Sequence, residues 1–291
     1  MNRNQTDVTI LLGLLLSVFA CGSQLSQTKS GDQSSVLDEM IDVGGYRLHV
    51  NCAGNPINGS PTVVMDAGGS DSSESWNTVR PEIAKFARVC VYDRAGLGKS
   101  ERRPSPSYPS QEVVKDLHTL LVNAHIAAPF VLVGHSFGGM NVRLYASQHP
   151  QEVVGMVLVD SAHEDEMDLW VAMMPPEIKQ QVIGSDMKGL LARLAISEGQ
   201  VRAAHWHSDI PLVVLTHGVL NPGDYGIPSM AAKGEALRLE MQEGLARLSS
   251  RSKHIIAEKS GHYIQRDQPK LVIDSIRQVV EATRKTDRKQ F

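Results

Sequence analysis

The stretch that decides the fold of this chain is VLVGHSFGG, at residues 131–139. An apolar, β-branched run stops at Ser136, which has glycines at positions 134 and 138, and a helical pattern begins at once. This order predicts a strand, a sharp turn and a helix. The glycines have no Cβ and permit the tight turn, so that the serine is expected above the strand end, at the positive end of the helix. An ordinary glycine-rich turn is the alternative interpretation.

The composition is typical of a globular protein with room for a large core. Of the 291 residues, 42% are hydrophobic and 21% are charged, which favours one large domain or two small ones. The formal net charge of -3 gives no reason to expect a nucleic-acid partner. The one basic cluster, at residues 284–289, contains Asp287 and is expected to belong to a solvated polar tail at 285–291.

The first 21 residues are expected to form a signal peptide. The apolar run from Val8 to Cys21 follows Arg3, and it has the length of a secretory hydrophobic region rather than of a bilayer-spanning helix. The run also resembles a bacterial lipobox, with Cys21 as the lipidated first residue of the mature protein. An uncleaved membrane anchor is the alternative. We therefore expect an exported protein that is periplasmic, lipid-anchored to a membrane or secreted. Residues 22–36 are expected to form a flexible tether.

Strands alternate with helices beyond the tether. Apolar strand patterns occur at 39–43, 46–52, 62–66, 88–92, 130–134, 153–159, 212–216 and 254–257. The helical patterns between them include residues 76–87 and 110–125, where Ser110 is expected to be the cap, and a closing helix that ends near residue 284. This alternation predicts an α/β fold, with a mostly parallel sheet and helices on both faces. It lapses at about 163–207, where three short amphipathic patterns predict an inserted helical cap.

Four segments, taken together and in order, resemble the α/β-hydrolase family over residues 37–284. They are the turn at 67–69 (AGG), the loop at 93–100 (DRAGLGKS), the glycine-bracketed serine at 134–138 and the loop at 260–262 (SGH). The resemblance implies an eight-stranded, mostly parallel sheet, a substrate pocket under the helical cap, and a catalytic triad in the order serine, acid, histidine. It also places the strands that carry Cys52 and Cys90 side by side. A disulfide and two separate buried thiols are both compatible with that arrangement.

The resemblance assigns the nucleophile to Ser136 and its base to His262, in the loop after the last strand. It implies that the oxyanion hole consists of the backbone N–H groups of Gly69 and Phe137. This chain has Ala67 where the family usually has histidine. Because the donors belong to the main chain, we expect the hole to survive that change.

The acid is open to two interpretations. Most relatives carry an aspartate three residues beyond the glycine that ends the seventh strand, and this chain has Asn221 there. An amide can orient a histidine but cannot stabilise its cation by charge. Asp160, at the end of the sixth strand, is favoured because strand ends are rigid, and Asp224, three residues beyond Asn221, is the alternative.

The other polar residues that stand out in the sequence are expected to have packing or surface roles rather than catalytic ones. His135 is predicted to pack or to line the pocket. A surface position is the default for four further histidines, His163, His205, His207 and His217. The cluster Glu164, Asp165, Glu166 and Asp168 is expected to be the solvated start of the cap. Neither this cluster nor the cysteines have the spacing of a metal site, and no cofactor is expected.

A serine at the turn points to acyl chemistry on a carbonyl carbon, whereas branches of the family that attack saturated carbon place aspartate there. The sequence therefore predicts a serine hydrolase that acts on carboxylic esters or related small acyl substrates. An aminopeptidase of the proline-iminopeptidase type, with a cap carboxylate that holds the substrate's amino group, is one alternative. A non-catalytic ligand-binding member of the fold, suggested by Asn221, is the other.

Overall fold

The structure, a computed structural model, describes most of the chain after the N-terminal segment. The described residues are 37–55, 60–105, 108–183, 187–204, 206–219 and 231–287. The predicted signal peptide with Cys21, the tether, the alternative acid Asp224 with Asn221, and His205 lie outside these residues. The helices in the described part of the chain include none with the length and apolar content needed to cross a membrane.

Eight strands form one sheet in the described residues, in the order β1-β2-β4-β3-β5-β6-β7-β8. Their bounds are β1 Leu37–Asp42, β2 Arg47–Ala53, β3 Thr62–Asp66, β4 Val89–Tyr92, β5 Phe130–His135, β6 Val153–Val159, β7 Leu212–His217 and β8 Ser252–Ala257. The first two strands form a hairpin that joins β4 in antiparallel pairing, and every other pairing is parallel. The predicted fold class is therefore confirmed.

A short 3-10 helix, Ser73–Trp76, and nine α-helices connect the strands in the described residues. The α-helices are α1 Arg80–Ile83, α2 Ser110–Asn123, α3 Phe137–Gln148, α4 Glu166–Met173, α5 Pro176–Ile183, α6 Met187–Ala204, α7 Ala231–Ala246, α8 Ile264–Asp267 and α9 Pro269–Asp287. The helix predicted at 76–87 is thus wrong as a single element. Pro81 lacks an N–H group and fits only in the first turn of a helix, so a new helix begins at Arg80.

Helices cover both faces of the sheet because the central strands are apolar on both sides. One face packs against α2, α3 and α7, through side chains such as Leu117, Tyr145 and Leu245. The other packs against α1, α8 and α9, with Ile83 and Ile276 in its core. Ser110 is the first residue of α2 rather than its cap, and its N–H donates to Ser197 Oγ of α6 at 3.1 Å. The predicted cap is therefore wrong, because the backbone of Ser110 is bonded to a side chain of another helix rather than to the end of its own.

Cys52 and Cys90 form a disulfide between β2 and β4. The two residues are directly opposite each other in the antiparallel register of these strands, with a Cα–Cα distance of 4.0 Å. Of the two alternatives that the sequence left open, the structure contains the bonded one.

The carboxyl ends of strands β3 to β8 form one edge of the sheet, since all six run parallel to one another. In open α/β sheets, ligands bind in the crevice along this edge. Ser136, Asp160 and His262 each follow one of these strand ends. The topology therefore brings residues that are far apart in sequence to one place.

Candidate active site

Ser136 occupies the turn between β5 and α3 in a backbone conformation that few residues adopt. Its φ of 52° and ψ of -123° lie in a sparsely populated region that costs about 1–3 kcal/mol. Two hydrogen bonds hold it there: its N–H donates to the Val159 carbonyl at 3.2 Å, and its own carbonyl accepts from Ala162 N–H at 3.0 Å. The side chain is half-buried. The turn therefore presents a partly accessible hydroxyl at the N-terminus of a helix.

The flanking glycines are required because the backbone is crowded at the turn. A Cβ on Gly134 would come within 2.6 Å of the Gly138 carbonyl, and one on Gly138 within 2.4 Å of the Asp66 carbonyl. Real Cβ atoms do not approach backbone so closely, so these positions exclude any larger residue without a backbone shift. The glycines at 134 and 138 thus belong to the turn itself, as the sequence pattern predicted.

Asp160 and His262 meet at the same edge of the sheet. Oδ2 of Asp160 accepts a hydrogen bond from Nδ1 of His262 at 2.6 Å. The carboxylate is 3% exposed and the imidazole 39% exposed, so the acid is shielded while the base faces the open side of the site. Asp160 also has a positive φ, 43°. This pair has the geometry in which an acid orients a histidine and stabilises its cation.

The Asp160 carboxylate is held in its ionised form. Burial acts to raise its pKa, but hydrogen bonds from His217 and His262 outweigh burial and hold the pKa well below its usual range. A buried carboxylate with several donors is a stable anion, which is the form that a histidine base needs as its partner.

His217 is a residue of the site whose position the sequence did not reveal. Its Nδ1 lies 2.6 Å from Oδ2 of Asp160, its N–H donates to Oδ1 at 3.0 Å, and its side chain is 5% exposed. The predicted surface position is therefore wrong for His217. His163 is also largely buried, whereas His207 is exposed, as expected. One signal could have found it: His217 ends β7 as Asp160 follows β6, and these strands are parallel neighbours.

Arg238 of α7 completes the shell around the carboxylate. Its guanidinium donates to Oδ1 of Asp160 at 3.1 Å and to the His217 carbonyl at 3.0 Å. It also pairs with Glu235 one turn earlier on the same helix. Asp160 thus accepts from two imidazoles, one backbone N–H and one guanidinium.

His135 packs beneath the site, as predicted. Its Nε2 lies 2.9 Å from the His262 carbonyl, and the two rings are 4.7 Å apart at their centroids. Burial, with a further contribution from His262, lowers the pKa of His135 to about 3, so this ring stays neutral. Because His135 precedes Ser136, its contacts with His262 place the candidate base beside the turn.

The two predicted oxyanion donors are also neighbours. A Cβ on Gly69 would lie 3.7 Å from Cβ of Phe137, so the loop after β3 adjoins the N-terminus of α3. The N–H groups of Gly69 and Phe137 therefore belong to adjacent segments at the serine turn. Two such donors are what a developing oxyanion requires.

Arg94 anchors the loop that carries Gly69. The guanidinium is buried, pairs with Asp66, and donates to the carbonyl oxygens of Ala67 at 2.6 Å, of Gly68, and of Gly69 at 3.1 Å. In a planar trans peptide the C=O and N–H groups point in opposite directions. When Arg94 binds the Gly68 carbonyl, the N–H of Gly69 is turned away from the guanidinium. Arg94 thus fixes the carbonyl groups of three successive residues of the loop that begins at Ala67.

The segment 163–207, here termed the cap segment, supplies helices α4 to α6 between β6 and β7. Glu164 is in an ion pair with the buried Arg143 at 2.7 Å, so the prediction of a solvated residue is wrong for it. Asp165 and Asp168 are exposed and pair with Arg202. Burial raises the pKa of Glu166, which lies at the start of α4.

A small apolar cavity lies between α4 and α7. It has a volume of about 30 Å³, and its walls include Trp170, Met173, Leu237 and Met241 together with the charged residues Glu166 and Arg238. Because Arg238 also binds Asp160, the cavity adjoins the site. A larger cavity, of about 360 Å³, lies at the opposite edge of the sheet, where β5 begins, and does not border Ser136.

Two groups of side chains in the described residues have metal-ligand atoms close together. One is Asp160 with His217 and His262, whose imidazole nitrogens are hydrogen-bonded to the carboxylate. The other is His118, His149 and Glu152 at the opposite edge, where the two rings stack in parallel with centroids 4.1 Å apart. Parallel stacked rings keep their in-plane lone pairs in separate planes, so they do not converge on one ion without rotation.

Comparisons with known proteins agree with this architecture. The family model described as "alpha/beta hydrolase fold" matches residues 61–197. An uncharacterized protein of Bacillus subtilis, YqjL, is 30% identical over 213 residues, covering 72% of this chain and 80% of that protein. An AB hydrolase superfamily protein of Gibberella zeae is 23% identical, covering 77% of this chain and 87% of that protein. Four longer relatives are different in extent, since the chain spans 18% to 26% of their length.

A solved structure with the same fold is a thermophilic esterase from Thermogutta terrifontis. It superposes with a TM-score of 0.58 at 18% identity, covering 86% of this chain and 99% of that one. At this identity, the likeness demonstrates the fold and not the activity. Together with the matched family model and the relative from Bacillus subtilis, it leads to one conclusion: this chain belongs to the α/β-hydrolase fold family.

Proposed function

We propose that this protein is a serine hydrolase that cleaves carboxylic esters through an acyl-enzyme intermediate. The observation that carries the proposal is the 2.6 Å hydrogen bond between the buried carboxylate of Asp160 and Nδ1 of His262, beside the strained turn at Ser136. Membership of a hydrolase fold family makes hydrolysis the expected chemistry. The serine at the turn selects acyl transfer within that chemistry.

In the acylation step, Oγ of Ser136 attacks the carbonyl carbon of the ester while His262 accepts the hydroxyl proton. The carbonyl oxygen becomes an oxyanion, which accepts hydrogen bonds from the N–H groups of Gly69 and Phe137. Asp160 stabilises the imidazolium through its Nδ1–H. The tetrahedral intermediate then collapses, and His262 returns the proton to the departing alcohol.

Deacylation repeats these roles with water. His262 removes a proton from a water molecule as its oxygen attacks the acyl-enzyme carbonyl, and the same two N–H groups bind the second oxyanion. Collapse releases the carboxylic acid and returns the proton to Oγ of Ser136. The net reaction consumes one water molecule and yields an acid and an alcohol.

The cap segment favours esters over peptides with a free amino terminus. Recognition of an amino group needs an available carboxylate near the site. Glu164 is already paired with Arg143, and Asp165 and Asp168 with Arg202. The fourth acid of the cluster, Glu166, accepts from the His163 N–H at 3.1 Å, and burial raises its pKa, which disfavours the charged form that would bind an ammonium group.

A fluorophosphonate probe tests the proposal, because it reacts covalently with activated serines. We expect labelling of the unmodified protein and none of Ser136→Ala. Ser70→Ala is the matched control, since Ser70 is exposed next to Gly69 and is expected to leave labelling unchanged. Labelling that is absent, or that does not depend on Ser136, would contradict the proposal and favour a non-catalytic binding protein.

A substrate panel then addresses the acyl class. p-Nitrophenyl esters of increasing acyl length are compared with aminoacyl p-nitroanilides at equal concentration. We expect Ser136-dependent turnover of the esters to exceed that of the anilides. Preferential cleavage of the anilides would favour the aminopeptidase alternative instead.

We further propose that the protein works outside the cytoplasm, attached to a membrane through Cys21 or released. The apolar run before Cys21 is the basis of this proposal. The disulfide between Cys52 and Cys90 supports it, because disulfides persist mainly in oxidising compartments.

A further inference from the structure

We propose that His217 is a positioning residue that shares the carboxylate of Asp160 with the base His262 and, together with Arg238, limits how strongly that carboxylate supports the base. This inference rests on the proposed function, since it concerns the same acid and base. It adds a second histidine and an arginine to the three residues of the triad.

The geometry shows two imidazoles that bind one oxygen. Nδ1 of His217 and Nδ1 of His262 each lie 2.6 Å from Oδ2 of Asp160. The other oxygen, Oδ1, accepts from the His217 N–H at 3.0 Å and from Arg238 at 3.1 Å. Each oxygen of the Asp160 carboxylate therefore accepts from two donors, and His262 has neither oxygen to itself.

The position of His217 is itself fixed by the fold. β7 lies between β6 and β8, so the end of β7 lies between the strand end that carries Asp160 and the loop that carries His262. The guanidinium of Arg238 ties the His217 carbonyl to the same carboxylate. His217 is thus held in contact with Asp160 by backbone and side chain together.

Several further ionisable groups face this cluster. From α7, Glu235 lies 3.6 Å from Nε2 of His217 and pairs with Arg238. From β5, the neutral ring of His135 packs against His262. Glu166 of α4 and Arg266 of α8 act at longer range, on the acid–base pair and on His135 respectively. Glu235, His135, Glu166 and Arg266 are unaltered in the variants proposed below.

The chemical consequence follows from charge sharing. A carboxylate that accepts from two imidazoles and a guanidinium spreads its negative charge over more donors, so each donor is stabilised less. The cation of His262 is then less stable than it would be beside an undivided aspartate. Removal of His217 leaves Oδ2 to His262, which stabilises the imidazolium and raises the pKa of His262.

The direction of the pH effect can be stated. His262 must be neutral to accept the proton of Ser136, so the acidic limb of the kcat/KM profile reports the pKa of His262 in the free enzyme. In His217→Leu, this limb is expected to shift to higher pH by about one unit, as the loss of one hydrogen bond to a charged group implies. A purely structural role would lower activity without moving the limb.

His217→Asn provides the conservative rescue. Its side-chain amide can donate to Asp160 in place of Nδ1 but does not titrate, so the limb is expected to stay within about 0.3 units of the unmodified protein. His118→Leu, at the opposite edge of the sheet, is the control for replacement of a histidine elsewhere. Arg238→Met removes one of the two donors to Oδ1 of Asp160, and is expected to shift the limb in the same direction as His217→Leu.

The experiment measures p-nitrophenyl ester hydrolysis from about pH 5 to about pH 9, with circular dichroism to verify folding. An acidic limb in His217→Leu and Arg238→Met that coincides with that of the unmodified protein, or that moves to lower pH, would overturn the inference. If His217→Leu does not fold, Arg238→Met carries the test alone.

A second readout separates this inference from the proposed function. The pKa of His262 is measured by NMR titration of its imidazole in the unmodified protein and in His217→Leu, which requires no turnover. A higher pKa in the variant supports charge sharing even if the protein hydrolyses no ester. An equal or lower pKa contradicts it even if Ser136 is an active nucleophile.

Discussion

Oδ2 of Asp160 lies 2.6 Å from Nδ1 of His262, although the two residues are 102 positions apart in the chain. The contact forms because Asp160 follows β6 and His262 follows β8, with β7 between these parallel strands. The pair has the geometry of the acid and base that the proposed nucleophile Ser136 would need, at the edge of the sheet where Ser136 begins the turn into α3.

The first prediction concerns the acid. Asp160→Asn keeps the size of the side chain but removes its charge, so it is expected to lower kcat by roughly 10³- to 10⁴-fold. The expected result for Asp224→Asn is near-normal turnover. The measurement is ester hydrolysis with the folded state checked by thermal unfolding.

The reverse outcome would assign the acid to the loop after β7. If Asp224→Asn loses activity while Asp160→Asn retains it, the hydrogen bond between Asp160 and His262 is structural. This comparison therefore decides between the two interpretations that the sequence left open.

The second prediction concerns the anchor of the oxyanion loop. Arg94→Lys retains a positive charge beside Asp66, but an ammonium group cannot reproduce the fork that binds three successive carbonyls. We expect kcat to fall by roughly 10- to 100-fold with a smaller change in KM, because the loss falls on the transition state. Arg102→Lys, an exposed change in the same loop, is the control. Equal kcat values for the two variants would show that Arg94 does not position the hole.

The third prediction is a pH dependence of stability from the cap segment. Burial, together with the negative charges of Glu166 and Asp168, raises the pKa of Glu198 in α6 to about 7. Since its pKa is higher folded than unfolded, Glu198 contributes stability that is present below about pH 4.5 and is lost as the pH rises through about 7. The loss is up to about 3 kcal/mol in the free energy of unfolding.

Urea titrations at about pH 5 and about pH 8 measure this effect. Glu198→Gln is expected to lessen the decline in unfolding free energy between these values, whereas Glu177→Gln, an exposed change in α5, is expected to preserve it. An unchanged pH dependence in Glu198→Gln would mean that this carboxyl is not perturbed.

The fourth prediction concerns the disulfide. In a chain that carries Cys21→Ser, a maleimide is expected to label the unfolded protein at Cys52 and Cys90 after reduction but not before. Replacement of both cysteines by alanine is expected to cost roughly 4 kcal/mol, since the bond closes a loop with a sequence separation of 38 residues. Labelling without reductant would refute the bonded state.

The fifth prediction concerns membrane attachment. If Cys21 is lipidated, the full chain is expected to partition into the detergent phase of Triton X-114, and Cys21→Ser is expected to move to the aqueous phase. An uncleaved anchor would keep both proteins in the detergent phase. Mass spectrometry of the N-terminus distinguishes a cleaved chain from an intact one.

Much of the site is readable from local sequence. Ser136 is marked by the glycines that its turn requires, and the crowding at Gly134 and Gly138 is the physical basis of that pattern. Asp160 was favoured because it ends a buried strand, and the structure brings it to His262. These features depend on interactions over a few residues and on the parallel direction of the strands.

Other parts of the site could not be read in this way. His217 carries no local motif, and its role arises from the adjacency of β6 and β7. The function of Arg94 depends on where its guanidinium lies relative to a loop 25 to 28 residues earlier in the chain. The ion pair of Glu164 with the buried Arg143 could not be predicted either, because the run of acidic residues around Glu164 is typical of a solvated surface.

The sequence by itself therefore determined the fold class, the turn at Ser136 and the order of the candidate catalytic residues, because periodicity, glycine placement and strand ends are local properties. The tertiary structure alone decided what surrounds the Asp160 carboxylate. Which donors share a buried charge depends on distances between strands and helices that are remote in the chain, and those distances exist only after the sheet has assembled.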